Sequence, residues 1–292
     1  MTLRHLKIFA AVCKENSITL AAKKLYISQP AVSNAIKELE SYYGYLLFER
    51  ISKKLYLTEP GKTVYHYAIH ITSLFDELET SLKTSQYTGQ LKIGSSITIG
   101  TRFMSDYIKK FSICYPHIQT FVTIDSSDVI EKLVLDNELD FALIEGLIHS
   151  DHIISKEFIK DELMVICDLN NPLLKNDSIT LEDLSSQQFL MREKNSGTRE
   201  LAESILSLHN ITLNPIWESS STEAIVHGVA NGIGISILPL HLVQDYIDRN
   251  QVAKLEISNV KFQRQYHIIY HKNKFLTPAA LEFMKLCNTR QH

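Results

Sequence analysis

The chain has 292 residues, and 30 Lys plus Arg against 33 Asp plus Glu give a formal net charge of −3. This near-neutral total excludes a nonspecific polycation and an acidic disordered tail. Hydrophobic residues make up 45% of the chain, as in ordinary folded proteins, and its length predicts two or three folded units. The charge is unevenly spread, because residues 1–62 carry a net charge of +5 and the remainder carries −8.

Several protein classes are disfavoured at once. No run approaches the roughly 18 apolar residues that a membrane span needs, and Lys7, Lys14 and Glu15 interrupt the N-terminal apolar segment, unlike a signal peptide. We therefore expect a cytoplasmic protein with no membrane partner. His66 and His70 share a predicted helix face without a third ligand, so we expect no metal. GKT at 61–63 and GIG at 232–234 lack glycines that a P-loop and a dinucleotide fingerprint require, so we expect no cofactor. Scattered spacing predicts reduced thiols for the four cysteines, Cys13, Cys114, Cys167 and Cys287.

The first 44 residues predict three short helices. Apolar residues recur at helical spacing over residues 3–15, and Thr19 is a candidate N-cap for the second helix. The third helix begins after Ser28, with Pro30 in its first turn, and Gly44 ends it. The polar residues that face away from its apolar side are Ser33, Asn34 and Lys37.

Two helices joined by a tight turn predict a helix-turn-helix, whose second helix enters the major groove of DNA. Gln and Asn side chains pair with adenine, and two extended segments at 46–49 and 55–58 flank a basic turn that would meet phosphates. A three-helix bundle with a merely solvated polar face is the alternative, which the local positive charge disfavours. The candidate DNA-binding residues are Thr19, Ser28, Gln29, Pro30, Ser33, Asn34, Lys37, Arg50, Lys53, Lys54 and Lys62.

A long helix is predicted from Thr58, a candidate N-cap followed by Pro60, to about residue 85. Its apolar residues repeat at spacings of four and three, which is the pattern of a coiled-coil seam. A helix packed on its own domain is the alternative, although the helical domain looks complete without it. The candidate dimerisation residues are Val64, Ala68, Ile71, Phe75, Leu78 and Leu82.

Beyond a hinge at 87–90, strand-like and helix-like segments alternate, which predicts a mostly parallel sheet with crossovers. The pattern restarts after LMVICD, and the closing strand QYHIIYHK and helix PAALEFMKLCN lack local partners. Their return to the first lobe would give two α/β lobes joined by two crossing strands. The predicted domains are 1–60 for DNA binding, 61–88 for the linker helix and hinge, and 89–292 for the sensor, with lobe I at about 89–165 plus 266–292 and lobe II at about 166–265.

Three polar clusters of the sensor mark a candidate ligand cleft. The first follows a strand and combines hydroxyls with a helix N-terminus, which binds anions; it consists of Ser95, Ser96 and Thr98. The second is the segment REKNSGTRE, with the candidates Arg192, Ser196, Gly197, Thr198 and Arg199. The third contains Ser220.

Each cluster also has a plainer structural interpretation. The first fits simple N-capping and the second fits a solvated turn, while Ser220 and Glu223 form a candidate capping box. Glu145, at the end of DFALIEG, should face the same cleft. A carboxylate there fits a purely anionic ligand poorly. It favours a zwitterion, a metabolite with hydrogen-bond donors, or a pairing of Glu145 with Arg192 or Arg199.

The N-terminal residues resemble a known family. LRHLKIFAAVCKENSITLAAKKLYISQPAVSNAIKELESYYGYLLFERISKKLYLTEPGK is similar to the DNA-binding domain of LysR-type transcriptional regulators, and its markers are AAKKLYISQPAVSNAIKELE, LLFER and LTEPGK. The resemblance continues over essentially the whole chain. It implies an α+β multidomain protein: a winged helix-turn-helix, a dimerising coiled-coil linker helix and a two-lobed periplasmic-binding-protein-like sensor, usually assembled as a homotetramer from two homodimers.

The resemblance also assigns residue roles. It places Ser96, Thr98, Ser196, Thr198 and Arg199 at the lips of the effector cleft, and the segment RE…SGTR resembles regulators of cysteine synthesis and of carbon fixation. It implies a DNA-binding transcriptional regulator on a near-palindromic operator, controlled by a small anionic or zwitterionic effector. No GxSxG elbow is present, so we expect no enzyme. The alternatives are a two-lobed ligand-binding protein or enzyme without sequence-specific DNA binding, and an architectural protein without an effector.

Overall fold

The computed structural model describes residues 1–51, 54–83 and 89–288. The chain forms two compact units: Met1–Gly89 with two short later segments, and the remainder. The helices are α1 (Leu3–Glu15), α2 (Ile18–Lys24), α3 (Gln29–Tyr43), α4 (Glu59–Lys83), α5 (Ile97–Ile99), α6 (Ser105–Cys114), α7 (Ser127–Leu135), α8 (Leu181–Ser185), α9 (Gly197–Leu208), α10 (Thr222–Ala230), α11 (Leu240–Asp248) and α12 (Pro278–Asn288). The strands are β1 (Phe48–Ile51), β2 (Lys54–Leu57), β3 (Gln90–Ser96), β4 (Gln119–Asp125), β5 (Phe141–Glu145), β6 (Ile153–Cys167), β7 (Leu190–Arg192), β8 (Trp217–Ser219), β9 (Ser236–Pro239), β10 (Ala253–Leu255) and β11 (Phe262–His271).

The first unit is a helix-turn-helix domain with a wing. The hydroxyl of Ser28 accepts a hydrogen bond from the N–H of Ala31 and caps α3, and Gly44 ends that helix in the left-handed conformation, as the sequence predicts. The predicted cap at Thr19 is wrong: α2 begins earlier, because Ser17 accepts the capping bond from the N–H of Leu20. The core between the helices is built from the buried apolar residues Leu6, Ile8, Phe9, Val12, Ala21, Ala22, Val32, Ala35, Ile36, Leu39, Leu47 and Ala68.

The wing is the antiparallel hairpin of β1 and β2. It is fixed to α3 because a carboxylate oxygen of Glu40 accepts hydrogen bonds from the N–H groups of Leu47 and Phe48. The long helix α4 then begins after Thr58, whose hydroxyl caps the N–H of Gly61 as predicted. Gly61 lies directly against the backbone oxygen of Leu47, where a Cβ atom would collide. The start of α4 is therefore packed tightly on the wing.

The second unit contains one large mixed sheet. Strand β3 pairs in parallel with β4 and β5, and β11 lies antiparallel between β5 and β6. Strands β9 and β10 pair antiparallel with β6. The predicted parallel arrangement therefore holds around β3 and in the separate parallel pair of β7 and β8, whereas β11 runs against the direction of its neighbours.

The two crossing strands join two hydrophobic cores. The first lobe is the part of the sheet around β3 and β5, with α6 and α12 packed on it; Phe111, Phe141 and Phe283 fill its core. The second lobe surrounds β7, β9 and α9, with Met191 and Leu206 in its core. Strands β6 and β11 contribute to both cores. The predicted fold class, a winged helix-turn-helix with a long helix and a two-lobed α/β sensor, is confirmed.

Some elements differ from the sequence prediction. Strand β6 begins ten residues before the predicted segment LMVICD and pairs with β11 along most of its length. Helix α11 and strand β10 were not predicted at all. Among the helices in the described part of the chain, none has the length and apolar character that a bilayer crossing needs.

Candidate DNA-reading surface and effector site

The polar face of α3 is open to solvent. Gln29, Asn34 and Lys37 are exposed and Ser33 is half-buried, while the apolar residues of the helix face the core. The hydroxyl of Thr19 donates to the side-chain oxygen of Gln29 at 3.4 Å, which links α2 to the start of α3. The cap Ser28 and Pro30 are exposed beside them. This geometry allows the N-terminal turn of α3 to reach base edges.

Sequence reasoning missed one residue on this surface. Tyr26 occupies the turn between α2 and α3 in the left-handed conformation, with φ of 54°, and is 95% exposed. A large aromatic side chain standing free at a helix-turn-helix turn lies next to the residues expected to meet DNA. The sequence pattern that could have indicated Tyr26 is a bulky aromatic residue within the short turn between two helices.

The structure describes the basic residues around the wing only in part. Lys62 at the start of α4 donates to Glu59 at 2.6 Å, so part of its charge is already compensated. Lys53 lies outside the described residues, as do the side chains of Arg50 and Lys54.

The predicted seam of α4 is corrected in its first half. Ala68 is fully buried and is not available to a partner, whereas Val64 is half-buried against the helix-turn-helix core. The helical domain was thus not complete without α4. Ile71, Phe75 and Leu78 are exposed as expected, although Lys7 of α1 lies over the ring of Phe75. The side chain of Leu82 falls outside the described set.

The exposed apolar residues define a shifted seam. Tyr67, Ile71, Leu74 and Leu78 are 59%, 44%, 41% and 53% exposed. Their spacings of four, three and four match one stripe of a coiled coil. Tyr67 and Leu74 were missed because the sequence pattern alone could not show which apolar stripe the domain already covers.

Glu145, at the end of β5, is the centre of the sensor's polar network. Its carboxylate accepts hydrogen bonds from the hydroxyls of Ser96 and Thr98, the latter at 2.9 Å. All three side chains are at least 97% buried. The predicted association of these residues is therefore present. The predicted pairing of Glu145 with Arg192 or Arg199 is absent, because neither arginine contacts Glu145.

Arg264 of β11 occupies the place expected for those arginines. Its Nη1 lies 3.7 Å from Glu145 and donates to the hydroxyl of Thr198 at 3.1 Å. Its Nε donates to the carboxylate of Asp161 at 2.7 Å, and Asp161 is the direct cross-strand partner of Arg264 in the pairing of β6 with β11. One guanidinium thus connects the first lobe, the second lobe and both crossing strands.

Burial and charge set the protonation of this group. Burial alone would lower the pKa of Arg264, and the carboxylates of Glu145 and Asp161 more than offset that effect, so its pKa lies above the ordinary value. Burial, followed by the charge of Asp161, raises the pKa of the Tyr266 phenol beside it. Arg264 is therefore charged and Tyr266 neutral at any physiological pH.

A cavity of about 430 Å³ adjoins the network. Asp161, Arg264 and His241 line it together with Leu240 and the neighbouring polar residues of β6 and β11. This volume falls in the range of small-molecule sites, about 300–1,000 Å³. Two atoms of the network, Oδ1 of Asp161 and Nη2 of Arg264, are buried without a hydrogen-bond partner in the described structure.

The other predicted cleft residues are placed differently. The guanidinium of Arg192 is bidentate with Glu193 at 2.8 and 2.9 Å. That of Arg199 donates to Glu203 at 2.6 Å and to Glu218 at 2.5 Å. Both arginines are consequently neutralised within the second lobe, where they hold the loop before α9.

Two serines are also corrected. The hydroxyl of Ser95 donates to the backbone oxygen of Ser96 and not to Glu145. Ser220 is exposed, and the cap of α10 is its neighbour Ser221, which accepts from the N–H of Ala224. The capping box predicted for Ser220 is therefore wrong.

The two lobes touch at Gly197. This residue starts α9 after the buried Ser196, and a Cβ atom placed on it would lie 2.5 Å from the backbone oxygen of Glu145. Gly146, next to Glu145, adopts φ of 101°, a conformation that favours glycine. Only residues without side chains allow this approach of α9 to the end of β5.

A histidine makes a second contact between the lobes. The ring of His149 lies 3.2 Å from Glu131 of α7 and 3.3 Å from Glu200 of α9. The hydrogen bond to Glu131 is the main cause that raises the pKa of His149 above its ordinary value, and Glu200 adds to it against the effect of burial. The histidine bridges two carboxylates when it is protonated.

The cysteines are free thiols. Cys167 and Cys287 are buried, and burial raises the pKa of Cys167 to about 12. Burial likewise raises the pKa of the half-buried Cys13, whereas Cys114 is exposed. No group of three or more His, Cys, Asp or Glu suited to a metal was found among the residues for which positions are given.

The sequence contains a weak indication of Arg264 and Asp161, the two network residues that were not predicted. Along β11, Phe262, Arg264, Tyr266 and Ile268 alternate with more exposed residues, so an arginine stands on the buried face. Asp161 is similarly a buried position of β6, between the more exposed Lys160 and Glu162. A charged residue at an inward position of a strand marks a buried pair or a site.

Comparison with known proteins adds independent findings. Residues 3–62 match the family model described as "Bacterial regulatory helix-turn-helix protein, lysR family", and residues 84–291 match "LysR substrate binding domain". The chain is 32% identical over 288 residues to the uncharacterized HTH-type transcriptional regulator YeiE of Escherichia coli strain K12, covering 99% of this chain and 97% of that protein.

A second relative agrees with the predicted branch. The RuBisCO operon transcriptional regulator of Allochromatium vinosum is 30% identical over 285 residues, covering 97% of this chain and 94% of that protein. Among solved structures, a full-length OxyR variant from Pseudomonas aeruginosa superimposes with a TM-score of 0.70 at 20% identity, covering 99% of this chain and 94% of that one. The structural likeness concerns the fold.

Proposed function

The chain belongs to the LysR family of DNA-binding transcriptional regulators, and from this premise we propose that a small molecule bound between its two sensor lobes modulates how it binds or bends DNA. The family's effector-binding domain matches residues 84–291. Helix α4 joins that domain along the chain to the helix-turn-helix, so a change in the sensor would reach the DNA-binding domain through it.

The observation that carries the proposal is the buried network around Arg264. Its guanidinium contacts Glu145 of the first lobe, Thr198 of the second lobe and Asp161 of a crossing strand. A ligand that changes any of these contacts changes the relative stability of open and closed lobes. Such differential binding is what shifts a population between two conformations.

The effector we propose is an anionic or zwitterionic metabolite. Arg264 supplies a buried cation, while Glu145 and Asp161 supply acceptors for a ligand's donors. The cavity of about 430 Å³ next to Asp161 and Arg264 suits a small metabolite. Ser96, Thr98, Ser196, Gly197 and Thr198 complete the proposed cleft; Arg192 and Arg199 act indirectly, since their charges are compensated within their own lobe.

For DNA, we propose that residues 1–60 read the operator. Gln29, Ser33 and Asn34 would contact base edges, while Ser28, Lys37 and the basic wing would contact phosphates. The exposure of Gln29 and Asn34 supports this assignment. A dimer would place two such helices about 34–36 Å apart, on half-sites of a near-palindromic operator separated by one turn or a multiple.

We propose that residues 61–88 dimerise the protein through the stripe of Tyr67, Ile71, Leu74 and Leu78. Four exposed apolar residues on one helix face support it, because such a stripe is normally covered by a partner. A second homotypic contact, giving a homotetramer, would use the edge strand β4, where Phe121, Val122 and Ile124 are 43%, 37% and 48% exposed. An uncovered apolar edge strand favours pairing with another chain.

We further propose that the protein acts in the cytoplasm, where DNA and metabolites meet, and catalyses no reaction. The names of its relatives, which are transcriptional regulators, support the absence of catalysis. The rival function is an enzyme or binding protein on the same two-lobed sensor. Turnover of a metabolite by a variant unable to bind DNA would favour that rival.

The test measures binding of fluorescent duplexes selected by the protein from a random library, with and without candidate ligands. The panel contains the twenty proteinogenic amino acids, small carboxylates, sulfate and phosphate. We expect one compound to change DNA affinity or bending, and Thr198→Val to abolish that response while DNA binding without ligand persists. An equal response of Thr198→Val would refute the cleft assignment. Ser220→Ala, an exposed position, is the matched control.

Salt titration tests the DNA assignment separately. Binding through phosphates weakens steeply as salt rises, because each phosphate contact releases counterions. We expect this dependence together with a preference for the selected sequence over random DNA. Salt-dependent binding without sequence preference would instead indicate an architectural protein.

A further inference from the structure

The charges of the buried sensor network do not balance. Two carboxylates, Glu145 and Asp161, face one guanidinium, that of Arg264, and all three residues are at least 92% buried. Arg264 is bonded closely to Asp161 at 2.7 Å but lies 3.7 Å from Glu145. Because an uncompensated buried charge is strongly unfavourable, this arrangement favours one additional positive group.

Two buried atoms of the network indicate where ligand groups would bind. Oδ1 of Asp161 is an acceptor without a donor, and Nη2 of Arg264 is a donor without an acceptor, within the part of the chain that the structure describes. Two further donors lie near Asp161: Nε2 of His241, 3.9 Å from Oδ1 and beyond hydrogen-bond distance, and the Tyr266 hydroxyl, which is itself buried without a hydrogen-bond partner. Buried polar atoms left in this state are uncommon in native proteins.

The lysine and the other arginines near the cavity do not supply the missing cation. Lys160 and Glu162 also line it and have opposite signs, so together they add no net charge. Both flank Asp161 in β6, where alternate side chains point to opposite faces, so they lie on the face away from Arg264. Arg192 and Arg199 are held by Glu193, Glu203 and Glu218.

We infer that the effector is a zwitterion, a small molecule with an ammonium group and a carboxylate, as in an α-amino acid. Its ammonium binds between Asp161 and Glu145, and its carboxylate accepts from Nη2 of Arg264. This inference rests on the proposed function for its regulatory meaning, but the binding itself is independent of DNA. Of the anionic and zwitterionic effectors proposed above, this inference selects the zwitterionic class.

Two other occupants satisfy part of the geometry. A water or a ligand hydroxyl can accept from Arg264 and donate to Asp161, but neither adds positive charge beside Glu145. A purely anionic ligand satisfies Arg264 and adds negative charge beside two carboxylates. Only a ligand with both groups pairs the two open atoms and also balances the charge.

The experiment compares matched ligands on the full-length protein by isothermal titration calorimetry. Each of the twenty proteinogenic amino acids is paired with the acid that lacks its amino group, such as glutamate with glutarate or alanine with propionate, and sulfate and phosphate are included. We expect at least one amino acid to bind ten times or more tightly than its partner. The panel is then repeated with the Asp161→Asn variant.

Asp161→Asn keeps an oxygen for the Nε of Arg264 but removes the negative charge. We expect it to lose at least tenfold affinity for the amino acid and to bind the matched acid as well as or better than before. Glu145→Gln is the second variant should the first fail to fold; its amide oxygen still accepts from one of the Ser96 and Thr98 hydroxyls, and its NH2 group can donate to the other. Glu157→Gln, exposed on the same strand, is the charge-matched control and should leave both affinities unchanged.

The outcomes separate this inference from the proposed function. Equal or tighter binding of the deaminated acids, sulfate or phosphate overturns the zwitterion, while the proposed function stands if that anion alters DNA binding. Absence of binding by every amino acid, or unchanged affinity in both folded variants, also overturns it. Amino-acid binding that depends on Asp161 but leaves DNA binding unchanged supports the inference and refutes the proposed function.

Discussion

The DNA-reading surface and the sensor network use polar side chains in opposite ways. Gln29, Asn34 and Lys37 are exposed on one face of α3, and a hydrogen bond of 3.4 Å joins Gln29 to Thr19. Glu145 and Arg264 are buried and share partners. Exposed groups act one by one and can be altered without loss of fold. Buried groups act together, so that a change at one position alters the state of the others.

The sharpest way to test this contrast is Arg264→Met. The substitution leaves Asp161 and Glu145 buried without a cation, and we expect it to lower the free energy of unfolding of the sensor by about 3–5 kcal/mol. Urea unfolding followed by the fluorescence of Trp217, the chain's one tryptophan, measures it. Arg249→Met, at an exposed position, should stay within about 0.5 kcal/mol. A loss below about 1 kcal/mol for Arg264→Met would contradict the contrast.

Gly197→Ala tests the contact between the lobes. The added Cβ would lie 2.5 Å from the backbone oxygen of Glu145, so α9 must move away, and we expect a loss of about 1–3 kcal/mol in sensor stability. Small-angle scattering should show more open lobes. Gly89→Ala is the control, since nothing lies near its added methyl group. Unchanged stability and shape in Gly197→Ala would show that the lobes do not depend on this approach.

In the DNA-binding domain, Gln29→Ala and Lys53→Ala should have different kinds of effect on DNA binding. We expect Gln29→Ala to reduce discrimination at one base pair by about 1–3 kcal/mol, because it removes a base-edge contact. Lys53→Ala should weaken binding to all sequences alike and reduce the salt slope by about one. Affinities for single-base variants of the selected duplex measure both effects. If both substitutions lowered affinity equally for every sequence, the division of roles would be wrong.

The smallest expected effect is a dependence of lobe closure on pH through His149. Glu131 and Glu200 raise its pKa above the ordinary 6.5, so the folded state favours the protonated ring. The stabilisation from this bridge is therefore complete below pH 6.5 and is lost as the pH rises through the raised pKa. We expect sensor stability to fall over that interval in the wild type and not in His149→Gln. Parallel curves for the two proteins would assign the pH dependence elsewhere.

Local sequence patterns were enough to predict the helix-turn-helix domain in detail. Ser28 and Gly44 mark the ends of α3 because capping depends on a few adjacent residues. The error at Thr19 is of one turn or less, since Ser17 offers an equivalent hydroxyl two residues earlier. The buried half of α4 was not predictable in this way, because an apolar stripe looks the same whether its own domain or a partner covers it.

The sensor site was predicted only in part. Ser96, Thr98 and Glu145 follow strands that end at one edge of the sheet, so their association could be inferred from strand order. Arg264 and Asp161 are 103 residues apart, and their pairing depends on the antiparallel register of β6 and β11. Periodicity indicates that both face inward but does not indicate which carboxylate and which cation will meet. Arg192 and Arg199 lie closer in sequence than Arg264 to the other predicted cleft residues, but they form ion pairs with nearby carboxylates instead.

The return of β11 and α12 to the first lobe has a consequence for synthesis of the protein. The helix-turn-helix core is built from residues 6–68, so it can form as soon as α4 has left the ribosome. The first lobe, by contrast, lacks β11 between β5 and β6, and α12 over its core, until residues 262–288 have been translated. The core of the helix-turn-helix domain can therefore form before the core of the first lobe is complete.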